Sequence, residues 1–192
     1  EIKNKSGGFF KVFTPYWRHC NEITKNKKFN NQIQKIKFIN TILKNSVKIK
    51  DLNLINSKMK WTNKIQKNWL PGEHNAKSML KKFIDNKANN YSIGRDRPDK
   101  NLTSKLSPYL HFGEISPLEI FKQITLSKKI NNDNKSKFLA EIGWRDFSYN
   151  LLYHYPDMTK NPIQTKFNKF PWLKDNKNLK KWQKGFTGIP IV

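Results

Sequence analysis

The sequence predicts an all-α protein, and three observations support this fold class. Apolar side chains recur at helical spacing, most clearly in residues 76–84 and 138–151. Ser-Pro and Thr-Pro pairs mark helix starts, and a glycine follows one of the predicted helices. No alternation of polar and apolar residues persists for the length of a strand. We therefore expect helices joined by long loops.

The composition is strongly basic. The 192 residues include 38 Lys and Arg but only 14 Asp and Glu, which gives a formal net charge of +24. This balance favours nucleic acid or another anionic partner, although the abundance of Lys, Asn and Ile also fits biased nucleotide composition. Cys20 is the single cysteine, which excludes an internal disulfide and fits a reducing compartment. Because no signal peptide or long apolar run is visible, we expect a cytoplasmic protein.

The first 60 residues combine an aromatic anchor with a polar segment. Thr14 and Pro15 predict the start of a short helix, with Thr14 as N-cap. Residues 21–60 are rich in Lys and Asn and are interpreted as a connector. A weak apolar stripe runs through it, at Ile33, Ile36, Ile39 and Leu43.

The next 70 residues predict a core and a hydroxyl-rich loop. A turn at 69–73 leads into an amphipathic helix whose apolar positions are Ala76, Met79, Leu80, Phe83 and Ile84. A basic loop follows at 91–107, and Ser107 is predicted to cap a short helix closed by Gly113. Ser116 and Glu119 predict a capping box for the next helix, with Leu118, Phe121 and Ile124 on its core side. Hydroxyls at helix starts either bind anions or only cap the helices.

Residues 138–155 predict the central helix, which Pro156 ends. Its polar face carries Glu141, Trp144, Arg145 and Ser148, while Leu139, Ile142, Phe147 and Leu151 can face a core. An indole among charges suits a flat, polar and anionic ligand. The simpler alternative is a Glu141–Arg145 pair beside a partly buried Trp. Farther along, Phe167, Phe170 and Trp182 are predicted to be core residues.

Several kinds of site lack their sequence signatures. The chain has no CxxC pair, no P-loop and no GxGxxG, and its four histidines are scattered, at His19, His74, His111 and His154. Neither a metal site nor nucleotide hydrolysis is therefore predicted.

Taken together, these segments resemble the photolyase/cryptochrome family. The matching stretches occur in the family's order: KVFTPYWR at 11–18, WLPGE at 69–73, YSIGRDRP at 91–98, TSKLSPYLHFGEISP at 103–117, FLAEIGWRDF at 138–147, FPW at 170–172 and WQKGFTGIPIV at 182–192. The resemblance implies an interdomain connector at 1–60 and the first half of the helical FAD-binding domain at 61–192. Because the chain opens at Glu1 and stops within an apolar segment, we expect a piece of a longer protein, inactive by itself.

The resemblance also implies roles for residues of the loop and the central helix. Matches to the FAD-contacting positions are Tyr91, Thr103, Ser104, Lys105, Leu106, Ser107, Phe138 and Arg145. Lys105 departs from the arginine of many members, so a bidentate contact there is lost, whereas a backbone contact would survive. The implied DNA-contacting residues are Arg95, Glu141, Trp144, Arg145, Asp146, Phe147 and Ser148. Glu141 and Trp144 match the pair that engages a flipped-out pyrimidine dimer, and Trp172 matches the outer electron-transfer tryptophan.

The implied activity is that of a cyclobutane pyrimidine dimer photolyase, in which reduced FAD donates an electron to the dimer under light. Damaged DNA would be the partner, the protein would be a nucleoid-associated monomer, and an antenna pigment (a folate or a deazaflavin) would bind outside this chain. Three alternatives stay open: a cryptochrome-type photoreceptor, a photolyase for the 6-4 photoproduct, and a basic nucleic-acid-binding module without catalysis. The last would leave the ordered flavin motifs unexplained.

Overall fold

The computed structural model describes residues 2–26, 37, 39, 46–54 and 60–190. Among these residues there is no strand, which confirms the all-α prediction. The α-helices are α1 Phe13–Asn26, α2 Trp61–Asn68, α3 Glu73–Asn86, α4 Tyr91–Gly94, α5 Ser107–His111, α6 Pro117–Leu126, α7 Asn132–His154 and α8 Asn176–Gln183. Short 3₁₀ segments lie at Ile49–Leu52, Ala88–Asn90, Pro156–Thr159 and Thr165–Lys169.

The starts of α1, α5 and α6 follow the local sequence to within one or two residues, whereas α7 begins at Asn132, six residues before the predicted start of the central helix at 138. Ser116 caps α6 as predicted, because its hydroxyl accepts the backbone N–H of Leu118. The Glu119 carboxylate accepts a hydrogen bond from Gln123 Nε2 instead of completing a capping box with Ser116. Two predicted caps are wrong: α1 already begins at Phe13, which puts Thr14 inside the helix, and Leu106 precedes α5, whose first residue is Ser107. Shifts of this size are usual where the first turn frays.

One hydrophobic core joins helices α3 to α7. The predicted apolar positions of α3 lie in it, with Ala76, Leu80 and Phe83 buried and Met79 and Ile84 packed at its edge. The other members come from α4 to α7 and their connections: Ala88, Tyr91, Leu106, Tyr109, Leu110, Ile115, Ile120, Phe121, Ile124, Ile130, Phe138 and Leu139. The core thus lies directly beneath the loop at 91–107 and the first half of α7.

The chain divides into two compact units, Glu1–Ser148 and Tyr149–Val192. In the second unit none of the described residues is buried, so the predicted core roles of Phe167, Phe170 and Trp182 are wrong. Its short helical segments are too small to enclose bulky rings. The predicted boundary between a connector at 1–60 and the FAD-binding region at 61–192 stays a prediction.

Helix α1 is fixed to α7 by three aromatic residues on two successive turns of α1. The Phe13 ring lies on Trp144, the Tyr16 hydroxyl donates to Asp146 Oδ2 at 2.5 Å, and Trp17 lies against Gly143.

Of the weak stripe predicted in the connector, Ile39 is exposed and the other three members lie outside the described residues. No helix among the described residues is long and apolar enough to cross a membrane.

Gly143 is the point of closest approach between α1 and α7. A Cβ added there would overlap ring carbons of Trp17. We expect Gly143→Ala to lower the free energy of unfolding, because overpacking costs about 1–3 kcal/mol and exceeds the gain of up to ~1 kcal/mol in helix propensity. Urea unfolding measures this change. Gly8→Ala is the matched control, since a Cβ at Gly8 meets only Asn4 at ordinary contact distance, and an equal loss in both variants would contradict the proposed clash.

Candidate functional site

The carboxylate predicted on the polar face of α7 has its partner in the loop after α4. Glu141 forms an ion pair with Arg95, and both side chains are partly buried. This hydrogen bond raises the pKa of the Arg95 guanidinium. Arg145 donates from Nη2 to the carbonyl of Leu110 at 3.0 Å. The simpler alternative of an intrahelical Glu141–Arg145 pair is therefore replaced by two contacts that tie α7 to neighbouring segments.

Trp144 lies one turn after Glu141 and presents half of its surface to solvent. Its exposed fraction is 45%. One face of the indole covers the Phe13 ring, with centroids 3.6 Å apart and planes 10° apart. Phe147 meets the edge of the same indole at 6.0 Å. The indole is thus supported from one side within a surface that also carries Glu141.

The three residues after Arg145 serve the packing of α7 in this structure. Asp146 accepts the hydrogen bond from Tyr16, and the Ser148 hydroxyl donates to the carbonyl of Trp144 at 2.8 Å. Phe147 is only 5% exposed, and its ring lies 5.1 Å from that of Tyr16. This burial argues against the direct DNA contact expected for Phe147, and we leave Phe147 out of the proposed DNA-binding surface.

The Tyr16–Asp146 bond predicts a dependence of stability on pH. Burial, followed by the hydrogen bond to Asp146, raises the pKa of Tyr16 far above its usual value. The folded protein therefore holds the phenol proton more tightly than the unfolded chain does. The stabilisation is complete below pH of about 10, the ordinary tyrosine pKa, and decreases as the pH rises towards the raised value.

We expect Tyr16→Phe to lower the free energy of unfolding by roughly 0.5–1.5 kcal/mol near neutral pH, because the buried Tyr16 loses its hydrogen bond to the carboxylate of Asp146, an exposed residue that water can solvate instead. The difference from the unmodified protein should shrink above pH of about 10. Urea unfolding at several pH values measures it. Tyr153→Phe is the control at an exposed tyrosine, and a difference for Tyr16→Phe that grows with pH would contradict the assignment.

A buried asparagine holds the start of α4 against α7. Asn134 Oδ1 accepts the N–H of Ser92 at 2.7 Å, and its Nδ2 donates to the Asn89 carbonyl at 2.8 Å. The α4 residue Tyr91 packs edge-on against Phe138, with centroids 5.0 Å apart. Both rings are buried, Phe138 at 4% exposure. Phe138 therefore supports the loop from below in this structure, and a contact with a ligand would require the surrounding side chains to move.

The hydroxyl-rich loop has a backbone conformation that the sequence did not reveal. Lys105 adopts a left-handed φ of +55°, which is uncommon for a residue with a Cβ. The N–H of Leu106 points to the Ser104 hydroxyl at 3.4 Å, and the Leu106 side chain is buried in the core. Thr103, Lys105 and Ser107 are exposed. The loop is thus anchored by Leu106 and presents two hydroxyls and an ammonium group outwards.

The turn at 69–73 braces this loop. Trp69 Nε1 donates to the carbonyl of Lys105 at 3.4 Å, and the Tyr109 hydroxyl donates to the carbonyl of Leu70 at 3.0 Å. Glu114 Oε1 accepts the N–H of Gly72 at 2.9 Å. Gly72 has a φ of +112°, which side chains rarely tolerate. The turn therefore holds the loop and α5 in place through hydrogen bonds on both sides.

A second lysine lies near the loop. Lys87 Nζ donates to Asn101 Oδ1 at 3.2 Å. Partial burial, and then the charge of nearby Lys105, lowers the pKa of Lys87. The ammonium groups of Lys87 and Lys105 repel each other and lie beside exposed hydroxyls. A bound anion would offset this repulsion and so stabilise the surface. This arrangement fits the phosphates of a nucleotide cofactor.

Sequence reasoning missed three residues of this region: Lys87, Asn134 and Phe13. Asn134 lies seven residues before Glu141, on the same face of α7, and that spacing could have revealed it. Lys87 is one of many lysines and carries no distinguishing signal. Phe13 is more than 100 residues from Trp144 in the chain, so no local period could connect them.

The remaining predicted site residue lies in the second unit. Trp172 is 68% exposed and lies 4.6 Å from the Phe170 ring, centroid to centroid. Its predicted electron-transfer role stays a prediction. Over the residues that the structure describes, no group of three or more His, Cys, Asp or Glu side chains could hold a metal ion.

Comparisons with known proteins agree with these features. Residues 138–192 match the family model described as the FAD binding domain of DNA photolyase. The chain is 36% identical to a deoxyribodipyrimidine photo-lyase of Agrobacterium fabrum, covering all of this chain and 40% of the relative. It is 30% identical to Cryptochrome-2 of Arabidopsis thaliana, covering all of this chain and 33% of that protein.

A solved structure shows the same fold. The crystal structure of a bacterial class III photolyase from Agrobacterium tumefaciens matches with a TM-score of 0.82 at 34% identity. The match covers all of this chain and 40% of that one, so the chain spans well under half the length of these relatives. On the helical fold, the ordered motifs and these matches, the chain belongs to the photolyase/cryptochrome family and corresponds to part of its helical FAD-binding region.

Proposed function

We propose that the protein carrying this chain repairs cyclobutane pyrimidine dimers in DNA by light-driven electron transfer from reduced FAD. The observation that carries this proposal is the placement of a half-exposed Trp144 one turn from the Glu141–Arg95 pair. A stacking surface beside a carboxylate suits an unpaired pyrimidine, which offers a flat ring and N–H donors at its edge. The relatives named as photolyases support the same activity.

The loop at 103–107 would hold the cofactor. Bound FAD would supply the light-absorbing group and the transferable electron. Thr103, Ser104 and Ser107 would donate hydroxyl hydrogen bonds to its phosphates and ribityl chain, and Lys105 would add a positive charge. Arg145, which donates to the Leu110 carbonyl, would add a second positive charge beside the cofactor. Phe138 and Tyr91 would support this surface from the core.

The polar face of α7 would bind the lesion. Trp144 would stack on a dimer ring with its exposed face, while Glu141 would accept N–H groups of the pyrimidine edge. Arg95 would exchange part of its contact with Glu141 for a DNA phosphate beside the lesion. The net charge of +24 would strengthen backbone binding without regard to sequence.

A cryptochrome-type photoreceptor is the second candidate, because three plant cryptochromes are among the relatives with at least 30% identity that match most or all of this chain. A photoreceptor needs FAD but no preference for damaged DNA. The test is the affinity of the FAD-loaded protein, in the dark, for matched duplexes with and without a single dimer. We expect tighter binding to the dimer duplex. Equal affinities would favour the photoreceptor, and preference for a 6-4 photoproduct duplex would replace the proposed substrate.

Lys105 offers a test of the proposed cofactor loop. We expect Lys105→Met to weaken FAD binding roughly tenfold, because a charge-assisted contact with phosphate is lost, whereas Lys105→Arg should keep most of the affinity. Equilibrium dialysis with FAD measures the change in the protein that carries this chain. Lys64→Met, at an exposed lysine of α2, is the control, and equal affinities in the Lys105 and Lys64 variants would remove Lys105 from the cofactor site.

Three further parts of the proposal rest on the resemblance to photolyases. The complete protein would bind an antenna pigment, a folate or a deazaflavin, outside this chain. It would act as a monomer. It would work in the cytoplasm at the nucleoid, where its DNA substrate lies.

A further inference from the structure

The strongest unexplained feature near the proposed lesion site is a row of three parallel rings. Trp17, Phe13 and Trp144 follow one another in this order. Phe13 and Trp144 have centroids 3.6 Å apart and planes 10° apart, while Phe13 and Trp17 have centroids 6.3 Å apart and planes 6° apart. Residues of α1 thereby cover one face of the indole that we propose for stacking.

The row is held at its Trp17 end and along one side. Trp17 lies against Gly143, where no side chain could be accommodated without displacing its ring. Phe147 closes the side, with its ring edge-on to Phe13 at 5.9 Å and to Trp144 at 6.0 Å. The Tyr16–Asp146 bond fixes the register of α1 on α7. Phe13 therefore has little freedom to leave the indole.

An indole has two faces, and here only the face away from Phe13 is available to a ligand. A stacking side chain held in its binding orientation loses less conformational freedom when the ligand arrives, which strengthens binding. Without the Phe13 ring, Trp144 would be free to turn about its side-chain torsions, or would settle into the space that the ring leaves.

We infer that Phe13 is a positioning residue that holds Trp144 in the orientation needed to stack on the flipped-out base. This inference rests on the proposed function of Trp144 and extends it to a residue of α1. The neighbouring Phe10 belongs to the same aromatic segment but contacts Tyr16 and His19 instead. It therefore offers a control for the anchoring of α1 that leaves the indole alone.

The test compares Phe13→Leu, Phe13→Tyr and Phe10→Leu in the FAD-loaded protein that carries this chain. The quantity measured is the ratio of the affinities for duplexes with and without a dimer. We expect Phe13→Leu to lower this ratio roughly 3- to 10-fold, by weakening only the dimer complex. Phe13→Tyr keeps the aromatic ring and should therefore show the same ratio as the unmodified protein. Phe10→Leu should also leave the ratio unchanged.

Two outcomes would overturn the inference. An unchanged ratio in Phe13→Leu would show that Trp144 needs no support from α1. An equal loss of the affinity ratio in Phe10→Leu would show that the Phe13 ring merely stabilises α1. Trp144→Ala separates this failure from that of the proposed function: if Trp144→Ala lowers the ratio and Phe13→Leu does not, only the positioning role is wrong, whereas an unchanged ratio in both also removes Trp144 from the lesion site.

Discussion

Replacing Trp144 by Ala should weaken binding to dimer-containing DNA by roughly 5- to 150-fold and leave binding to undamaged DNA nearly unchanged. The expected loss corresponds to about 1–3 kcal/mol for one stacked base. The effect is selective because the indole would contact the flipped-out base, whereas Lys and Arg side chains contact phosphates that both duplexes share. Fluorescence anisotropy with matched duplexes at fixed salt concentration measures both affinities.

The control for this prediction is Trp61→Ala. Trp61 is an exposed indole on α2, in the same compact unit, at 57% exposure. Because Trp144 also packs on Phe13, a urea unfolding curve of each variant is needed to show that the fold persists. An equal loss of affinity for both duplexes in Trp144→Ala would remove Trp144 from the proposed lesion site.

Replacing Glu141 by Gln should lower the number of dimers repaired per absorbed photon about fivefold, with FAD still bound. A hydrogen bond to a charged group contributes about 1 kcal/mol more than a neutral one, and Gln supplies only the neutral kind. Gln also ends the ion pair with Arg95, which the structure shows as the partner of Glu141. Actinometry combined with chromatography of the irradiated duplex measures the yield.

Glu119→Gln is the matched carboxylate control, because Glu119 lies on α6 and accepts a hydrogen bond from Gln123. Its yield should equal that of the unmodified protein. If Glu141→Gln repairs dimers with an unchanged yield while it retains FAD, Glu141 has no part in the reaction.

Local patterns predicted helices α3, α6 and α7 and part of the core, but not α4, which lies in the predicted loop at 91–107. The period of α3 placed Ala76, Leu80 and Phe83 correctly, because one face of an amphipathic helix must be buried. The helical spacing of α7 likewise placed Glu141 and Trp144 on a partly exposed face. Caps were less accurate, as Thr14 and Ser107 show, since several polar residues at a helix start can compete for the same position.

Long-range partners could not be predicted from the sequence. The Glu141–Arg95 pair was missed because Arg145, one turn away, offers an equally plausible partner in the sequence. The Phe13–Trp144 stack joins segments that only the packing of α1 on α7 brings together. The exposure of Phe167, Phe170 and Trp182 also eluded prediction, because an aromatic cluster indicates burial only where enough surrounding chain exists to enclose it.

The most direct test of the central claim is light-dependent repair by the protein that carries this chain. The FAD-loaded, chemically reduced protein would be mixed with a duplex that contains one cyclobutane dimer, and then irradiated with blue light or kept in the dark. We expect intact pyrimidines to appear in the light and not in the dark. A protein that holds FAD and binds the duplex, yet leaves the dimer intact under light, would contradict the proposed function.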